Sequence, residues 1–312
     1  MNILTRHLWG VLFLIAACAP GGARVAMPPP QALAADSAIR AAVANELAID
    51  AATFPPRTVA VAPFQVFAAD SSLAVLGYGL ADLLMTDLSR SAQLQVVDRL
   101  RVDALVRELG LVSGGAVDSS TAPRFGRLVG ARRLVMGSLT AAGPERARLD
   151  GRIGDVVTGA VEATEGTSTA LDAILDAEKA LAFAIFDRLG VSLAPSERAL
   201  VEQRPTRNLA ALLAYSRGVR AEMMLDLRAA GEQYREALRA DSRFGGARER
   251  LQQVEGPVSP VGGAGAPSEL ARVGALALEG VNAAAIPKIA TAADPSFRQP
   301  LTATIIIIIS LP

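Results

Sequence analysis

Thr58-Val59-Ala60-Val61-Ala62-Pro63-Phe64 is a short apolar run rich in β-branched residues, the pattern of a strand buried on both faces. A polar turn follows at Ala69-Asp70-Ser71-Ser72. Within residues 73–90, Leu76, Leu80, Leu83, Leu84 and Leu88 recur at helical spacing, which sets one apolar stripe against a sheet. Leu94-Gln95-Val96-Val97-Asp98-Arg99 then reads as a second strand. A strand-helix-strand unit of this length predicts parallel pairing through a right-handed crossover. It fixes a fold class and no chemistry.

The chain has 312 residues, enough for one or two domains. Its 31 basic and 31 acidic residues cancel, so no long-range field favours nucleic acid. Arginine supplies nearly all the positive charge, the lysines being Lys179 and Lys288 alone. The single histidine, tryptophan and cysteine (His7, Trp9 and Cys18) all fall within the first eighteen residues.

Those eighteen residues read as an address. Arg6 and His7 precede an apolar core at residues 8–17, too short to span a bilayer and right for a signal peptide. It ends in Ile15-Ala16-Ala17-Cys18, which resembles a bacterial lipobox, where small residues precede a cysteine that is lipidated. Lipidation would also account for an unpaired cysteine in an exported chain. The resemblance implies a mature protein that begins at Cys18, and Ala19 rather than Asp after it implies release to the outer membrane. A chain starting at Cys18 has no histidine and no free thiol. That removes Ser-His-Asp triads, Cys-His pairs and His or Cys metal sites, and leaves carboxylates and hydroxyls as the available chemistry.

Residues 19–31 form a Pro/Gly tether. Residues 37–48, with Ile39, Val43 and Leu47 at four-residue spacing, predict a short helix capped by Asp36 or Ser37. Beyond the central unit, helices are expected over 101–109 and from Ser119 or Ser120 to Val129. A strand is expected over 133–139 and a hairpin over 146–157 and 160–168. A long helix is expected over 171–189, with Glu178 interrupting its apolar stripe as a carboxylate that finds a partner or reaches the edge of the packed face. The order βαβααβββα predicts an α/β sandwich with a mixed sheet.

Val59-Ala60-Val61-Ala62-Pro63-Phe64, then Val96-Val97-Asp98-Arg99, then Glu108 with Leu109-Gly110-Leu111, then Gly130-Ala131 and Leu134-Val135-Met136-Gly137-Ser138 recur in an order that resembles a known domain. It is the soluble domain shared by the curli-secretion lipoprotein family (CsgG-type) and its FlgO-type and TolB amino-terminal-like relatives. The resemblance covers residues 57–190 and implies an envelope location. Family members that form pores add two long hairpins, for which this stretch has no room, so the fold carries over and the pore does not.

A connecting helix is expected over 195–203. Residues 209–222 and 227–240 resemble a tetratricopeptide unit through Gly218, Ala230, Tyr234, Ala237 and Asp241, with Ser242 where a proline is usual. One such unit cannot bury its faces alone. It reads as a helical cap on the α/β domain or as a surface for a partner, and residues 243–254 offer a following helix. Residues 256–267 read as a linker and 268–280 as a helix. The chain closes with Ile305-Ile306-Ile307-Ile308-Ile309, too short to span a membrane as a helix and strongly strand-prone. It is expected either in the protein's own sheet or added to a neighbour's.

Three features tempt a catalytic or ligand reading. Gly77-Tyr78-Gly79 lacks the third glycine of a dinucleotide motif, whose place is taken by Asp82, and instead predicts close helix–sheet packing. Asp150, Asp155 and Glu162 lie on the expected hairpin and read as solvent-face charges. Arg124, Arg127, Arg132 and Arg133 cluster with Phe125 as their only aromatic, too few for a stacking platform.

The expected organisation is a signal peptide (1–17), a tether with a short helix (18–56), the α/β domain (57–190), a tetratricopeptide-like region (191–255) and a tail (256–312). The expected function is a non-enzymatic outer-membrane lipoprotein facing the periplasm and acting in envelope assembly or secretion. It would be lipidated at Cys18 and would bind other envelope proteins, or further copies of itself, through Gly218, Ala230, Tyr234, Ala237 and residues 305–309. No cofactor, metal or nucleic acid is expected. The rivals are a curli-type channel subunit and a carboxylate-only cell-wall or glycan hydrolase, which needs two facing carboxylates.

Overall fold

The computed structural model describes residues 28–111, 117–143, 146–164 and 166–255. The chain divides into a unit of residues 1–258 and another of residues 259–312. The signal peptide, Cys18, Gly114-Gly115, the 256–267 linker, the 268–280 helix and the isoleucine tail all lie outside the described residues.

The β-branched run forms β1 (Thr58–Val61) and the second strand forms β3 (Gln95–Val96), paired in parallel as their connection requires. Between them lies α2 (Leu76–Leu88), entered through a 3-10 turn at Ser71–Val75 that Asp70 caps by accepting from the Ser72 N–H. Val59 and Val61 face the layer that holds Leu80 and Leu84, while Ala60 and Ala62 face the opposite one. β1 is thus buried on both sides.

β2 (Gln65–Ala68) begins two residues after Pro63 and pairs in parallel with β4 (Arg133–Ala141). β5 (Ala147–Asp155) runs antiparallel along the whole of β4, so β1 and β2 share the other edge of β4 in tandem. Pro63 makes the break between them, since it has no N–H for the ladder and holds its neighbour extended. The far side of β5 repeats the arrangement. The expected return arm over 160–168 is two short strands, β6 (Val161–Ala163) and β7 (Thr167–Thr169), separated where both the N–H and Oγ1 of Thr164 turn onto the Gly151 carbonyl. The described residues therefore form one mixed seven-stranded sheet, ordered β3-β1-β4-β5-β6 with β2 on β4 and β7 on β5.

Helices cover both faces. On one lie α1 (Pro30–Ala44), α3 (Arg99–Glu108) and α4 (Ala122–Val129), enclosing Ile39, Leu105, Phe125, Leu128 and Leu134. α1 starts at Pro30, well before the expected residue 37. Pro30 supplies a ready φ at its first position, and Asp36 sits mid-helix, ion-paired to Arg107 rather than capping. On the other face lie α2 and α5 (Ile174–Arg188), with Leu181 and Ile185 against the sheet. α6 (Pro195–Val201) then leads to α7 (Leu209–Met223), α8 (Leu227–Ala240) and α9 (Gly245–Glu255), the helical appendage on the α/β sandwich. α7 packs on α2 and α8, and α8 on α9.

Candidate functional site

The four small and aromatic residues of the helical pair come together, and they meet one another. Ala230, Tyr234 and Ala237 are fully buried. A Cβ placed on Gly218 would stand 2.4 Å from the Tyr234 ring, so only glycine lets α7 and α8 close to this distance. Tyr215 extends the stack, 5.7 Å from Tyr234 and 4.7 Å from Phe244 between ring centroids. Their surfaces are spent on each other, which is a packing role.

The Gly77 and Gly79 pair is likewise structural, though only half as expected. A Cβ on Gly77 would lie 2.1 Å from the Phe64 carbonyl oxygen, the close helix–sheet approach foreseen. A Cβ on Gly79 would lie 2.0 Å from Ser216 Oγ, so that glycine admits α7 rather than the sheet.

Where α7 meets α2 the structure gathers a group of charges that no sequence motif announces. Asp82 of α2 accepts from the Tyr215 hydroxyl of α7 and from Arg250 of α9, and its Oδ1 lies 3.4 Å from Nε of Arg99 of α3. Arg99 also reaches Asp103 at 3.0 Å and Glu222 at 2.9 Å. The Tyr234 hydroxyl donates to Glu222, and Arg250 stands 3.6 Å from it. Five helices are tied through these seven side chains. Burial and the neighbouring carboxylates push both tyrosines well above their ordinary range. Burial lifts Asp103 to about 6 against the pull of Arg99. A buried set of this kind sets geometry more than it adds stability.

The residues considered for catalysis do not converge. Asp150 is held by Arg148 at 2.9 Å. Asp155 caps the turn after β5 by accepting from the Val157 and Thr158 N–H groups, and pairs with Arg133 at 2.7 Å. Glu162, opposite Ile153, stands 3.7 Å from Arg188. Five positions apart on one strand, Asp150 and Asp155 point to opposite faces, and each of the three carboxylates has an arginine within reach. Of the arginine cluster, Arg124 makes a forked contact with Glu46, the bland surface role. Glu178 is fully buried and finds its expected partner in Lys179.

A cleft of about 490 Å³ opens beside β2, lined by Phe64, Val66, Phe67, Tyr78, Val106 and Arg220 among others, with no carboxylate among the described residues of its wall. Phe67 is 56% exposed at its rim. Among the described residues no group of His, Cys, Asp or Glu is placed to hold a metal ion, and no helix is long and apolar enough to cross a membrane.

Residues 39–168 match the family model described as "Curli production assembly/transport component CsgG". Comparison with curated proteins gives no match. Among solved structures, the LpoB C-terminal domain from Salmonella enterica is 17% identical with a TM-score of 0.31, covering 44% of this chain and 98% of that one. The NMR structure of E. coli LpoB is 16% identical with a TM-score of 0.29, covering 55% and 81%. Lipoprotein GNA1162 from Neisseria meningitidis is 16% identical with a TM-score of 0.29, covering 45% and 100%. Likeness at that level bears no functional weight. The family match runs from within α1 into β7, less than half of the chain, and it is this α/β part that resembles the family.

Proposed function

We propose, with the CsgG-like α/β unit as premise, that the chain is a non-enzymatic outer-membrane lipoprotein facing the periplasm, a binding and assembly component of the cell envelope. The observation that carries this reading is the family match over residues 39–168. The lipobox-like Ile15-Ala16-Ala17-Cys18 supports it independently. Diacylglycerol on Cys18 with a further acyl chain on its amine would supply the two or more chains that firm anchoring requires. The Pro/Gly tether would then hold the α/β unit off the lipid surface.

Two observations favour an adaptor over the rivals. A channel subunit needs membrane-spanning hairpins, and every described strand belongs to the one sheet, the longest being nine residues. A hydrolase needs two carboxylates across a cleft, and the cleft beside β2 has none among the described residues of its wall. Other envelope proteins are the expected partners, and the isoleucines at 305–309 are proposed as a strand offered to a neighbour.

The test is labelling with an alkyne fatty acid in a Gram-negative host, followed by membrane fractionation. The wild type is expected labelled in the outer membrane, and Cys18→Ser unlabelled and released. A wild-type protein that is unlabelled and soluble overturns the reading. Light scattering with and without residues 301–312 tests the tail. A ring-sized oligomer lost on truncation would favour a strand-donating assembly or the channel, and a monomer in both cases would leave the adaptor standing with the tail as a strand of its own sheet.

A further inference from the structure

Two carboxylates and one ammonium are enclosed between α2 and α5. Lys179 Nζ lies 2.5 Å from Asp87 Oδ2 and 3.2 Å from Glu178 Oε2. Asp87, Lys179 and Glu178 are 4%, 8% and 0% exposed. Although Lys179 stands within ion-pair distance, neither Glu178 oxygen accepts a hydrogen bond from any side chain or backbone N–H. Asp87 faces Glu178 from α2, and Arg90 past the end of α2 acts on Asp87. On the sheet side of α5, Leu181 meets Gly151 of β5, and the charged groups acting on Glu178 are Asp87 and Lys179.

Fully ionised, this set would bury a net negative charge, and a dry interior strongly disfavours that. The geometry points to a proton-carrying clamp between α2 and α5: Asp87 and Glu178 hold one proton between them against the single ammonium of Lys179, and the clamp weakens when that proton leaves.

Burial, with Asp87 adding to it, lifts Glu178 to about 8. Burial also raises Asp87, against the opposing pull of Lys179. The folded protein therefore binds the proton more tightly than the unfolded chain. The resulting stability is complete below the unfolded carboxyl range and is lost as pH rises through about 8. The clamp is thus a device that loosens α5 from α2 as the surroundings turn alkaline.

The test is thermal unfolding of the full-length protein from pH 5 to 9, read by circular dichroism, beside Glu178→Gln and Asp87→Asn. Each variant leaves one carboxylate against one ammonium and needs no proton. The wild-type midpoint is expected to fall by about 5 °C or more relative to either variant between pH 6 and 9. Wild-type and Glu178→Gln profiles that run parallel overturn the proposal. An Asp87→Asn profile that keeps the wild-type slope also overturns it, because a lone buried Glu178 would then account for everything. Infrared spectroscopy of the wild type is independent of how the variants fold. A protonated-carboxyl C=O band at pH 7 that disappears above pH 9 is expected, and its absence at pH 7 overturns the clamp.

Discussion

Replacing Asp82 by asparagine removes one negative charge from the centre of the five-helix junction while keeping the side chain's shape. Asp82 is 3% exposed and receives the Tyr215 hydroxyl and Arg250, with Arg99 Nε at 3.4 Å. Asparagine keeps one oxygen and can satisfy one of those donors. Arg99 retains Asp103 and Glu222, whereas Arg250 is left with Glu222 at 3.6 Å. Breaking a buried ion pair from one side costs about 3–5 kcal/mol, and the retained oxygen puts Asp82→Asn near the bottom, at about 3 kcal/mol. For a folded body of this size that is roughly 6–12 °C in the unfolding midpoint. Differential scanning calorimetry measures it directly. Tyr215→Phe alone should cost only about 1 kcal/mol, since the carboxylate keeps its arginines. The double variant should cost less than the sum, because both substitutions remove the same hydrogen bond. An Asp82→Asn midpoint within about 2 °C of wild type, or strictly additive costs, would sink the claim that this carboxylate is the common acceptor of the junction.

Three further outcomes are expected. Gly218→Val forces a Cβ to 2.4 Å from the Tyr234 ring, and should cost about 3 kcal/mol or more through overpacking, read as a lowered midpoint with weakened near-ultraviolet aromatic dichroism. Asp98→Ala removes the carboxylate that accepts from the Leu100 N–H at the start of α3; about 1 kcal/mol should disappear in denaturant titration, with the slope unchanged. Asp103 is lifted to about 6, so its contribution is complete below about pH 4 and declines as pH rises through 6. Asp103→Asn should therefore remove a fall in wild-type stability between pH 4 and 7, and stability curves that stay parallel across that span would contradict it.

The strands and helices of the α/β part were legible wherever one physical signal acted alone. β1 declared itself by an unbroken β-branched run, and α2 and α5 by leucine and isoleucine stripes of helical period. β2 was not legible because Gln65-Val66-Phe67-Ala68 is only four residues long and joined to β1 through Pro63, so its existence depends on the free half of β4's edge. The early start of α1 was hidden because Asp36 and Ser37 look like caps, and the salt bridge that claims Asp36 comes from Arg107, distant in sequence. The charged junction was least visible. Asp82, Arg99, Glu222 and Arg250 sit on helices that carry many other polar residues, and spacing within one helix does not tell which neighbour arrives over it. Glu178 was the exception, since it stood alone on an apolar stripe, and its partner turned out to be the adjacent Lys179 together with Asp87 on α2.

α2 has almost no free circumference. The sheet takes one side, α5 another and α7 a third, with Gly79 cut back to admit Ser216 and Asp82 turned toward Tyr215. A chain ended after Gly190 would keep every strand yet leave that third side bare, with a carboxylate exposed where Arg250 and Tyr215 had met it and a trough where α7 had lain. Such a fragment should be sticky and short-lived in isolation. Anyone cutting this protein into portable pieces would do better to let α7 to α9 travel with the sheet, as the second half of the sleeve around its central helix.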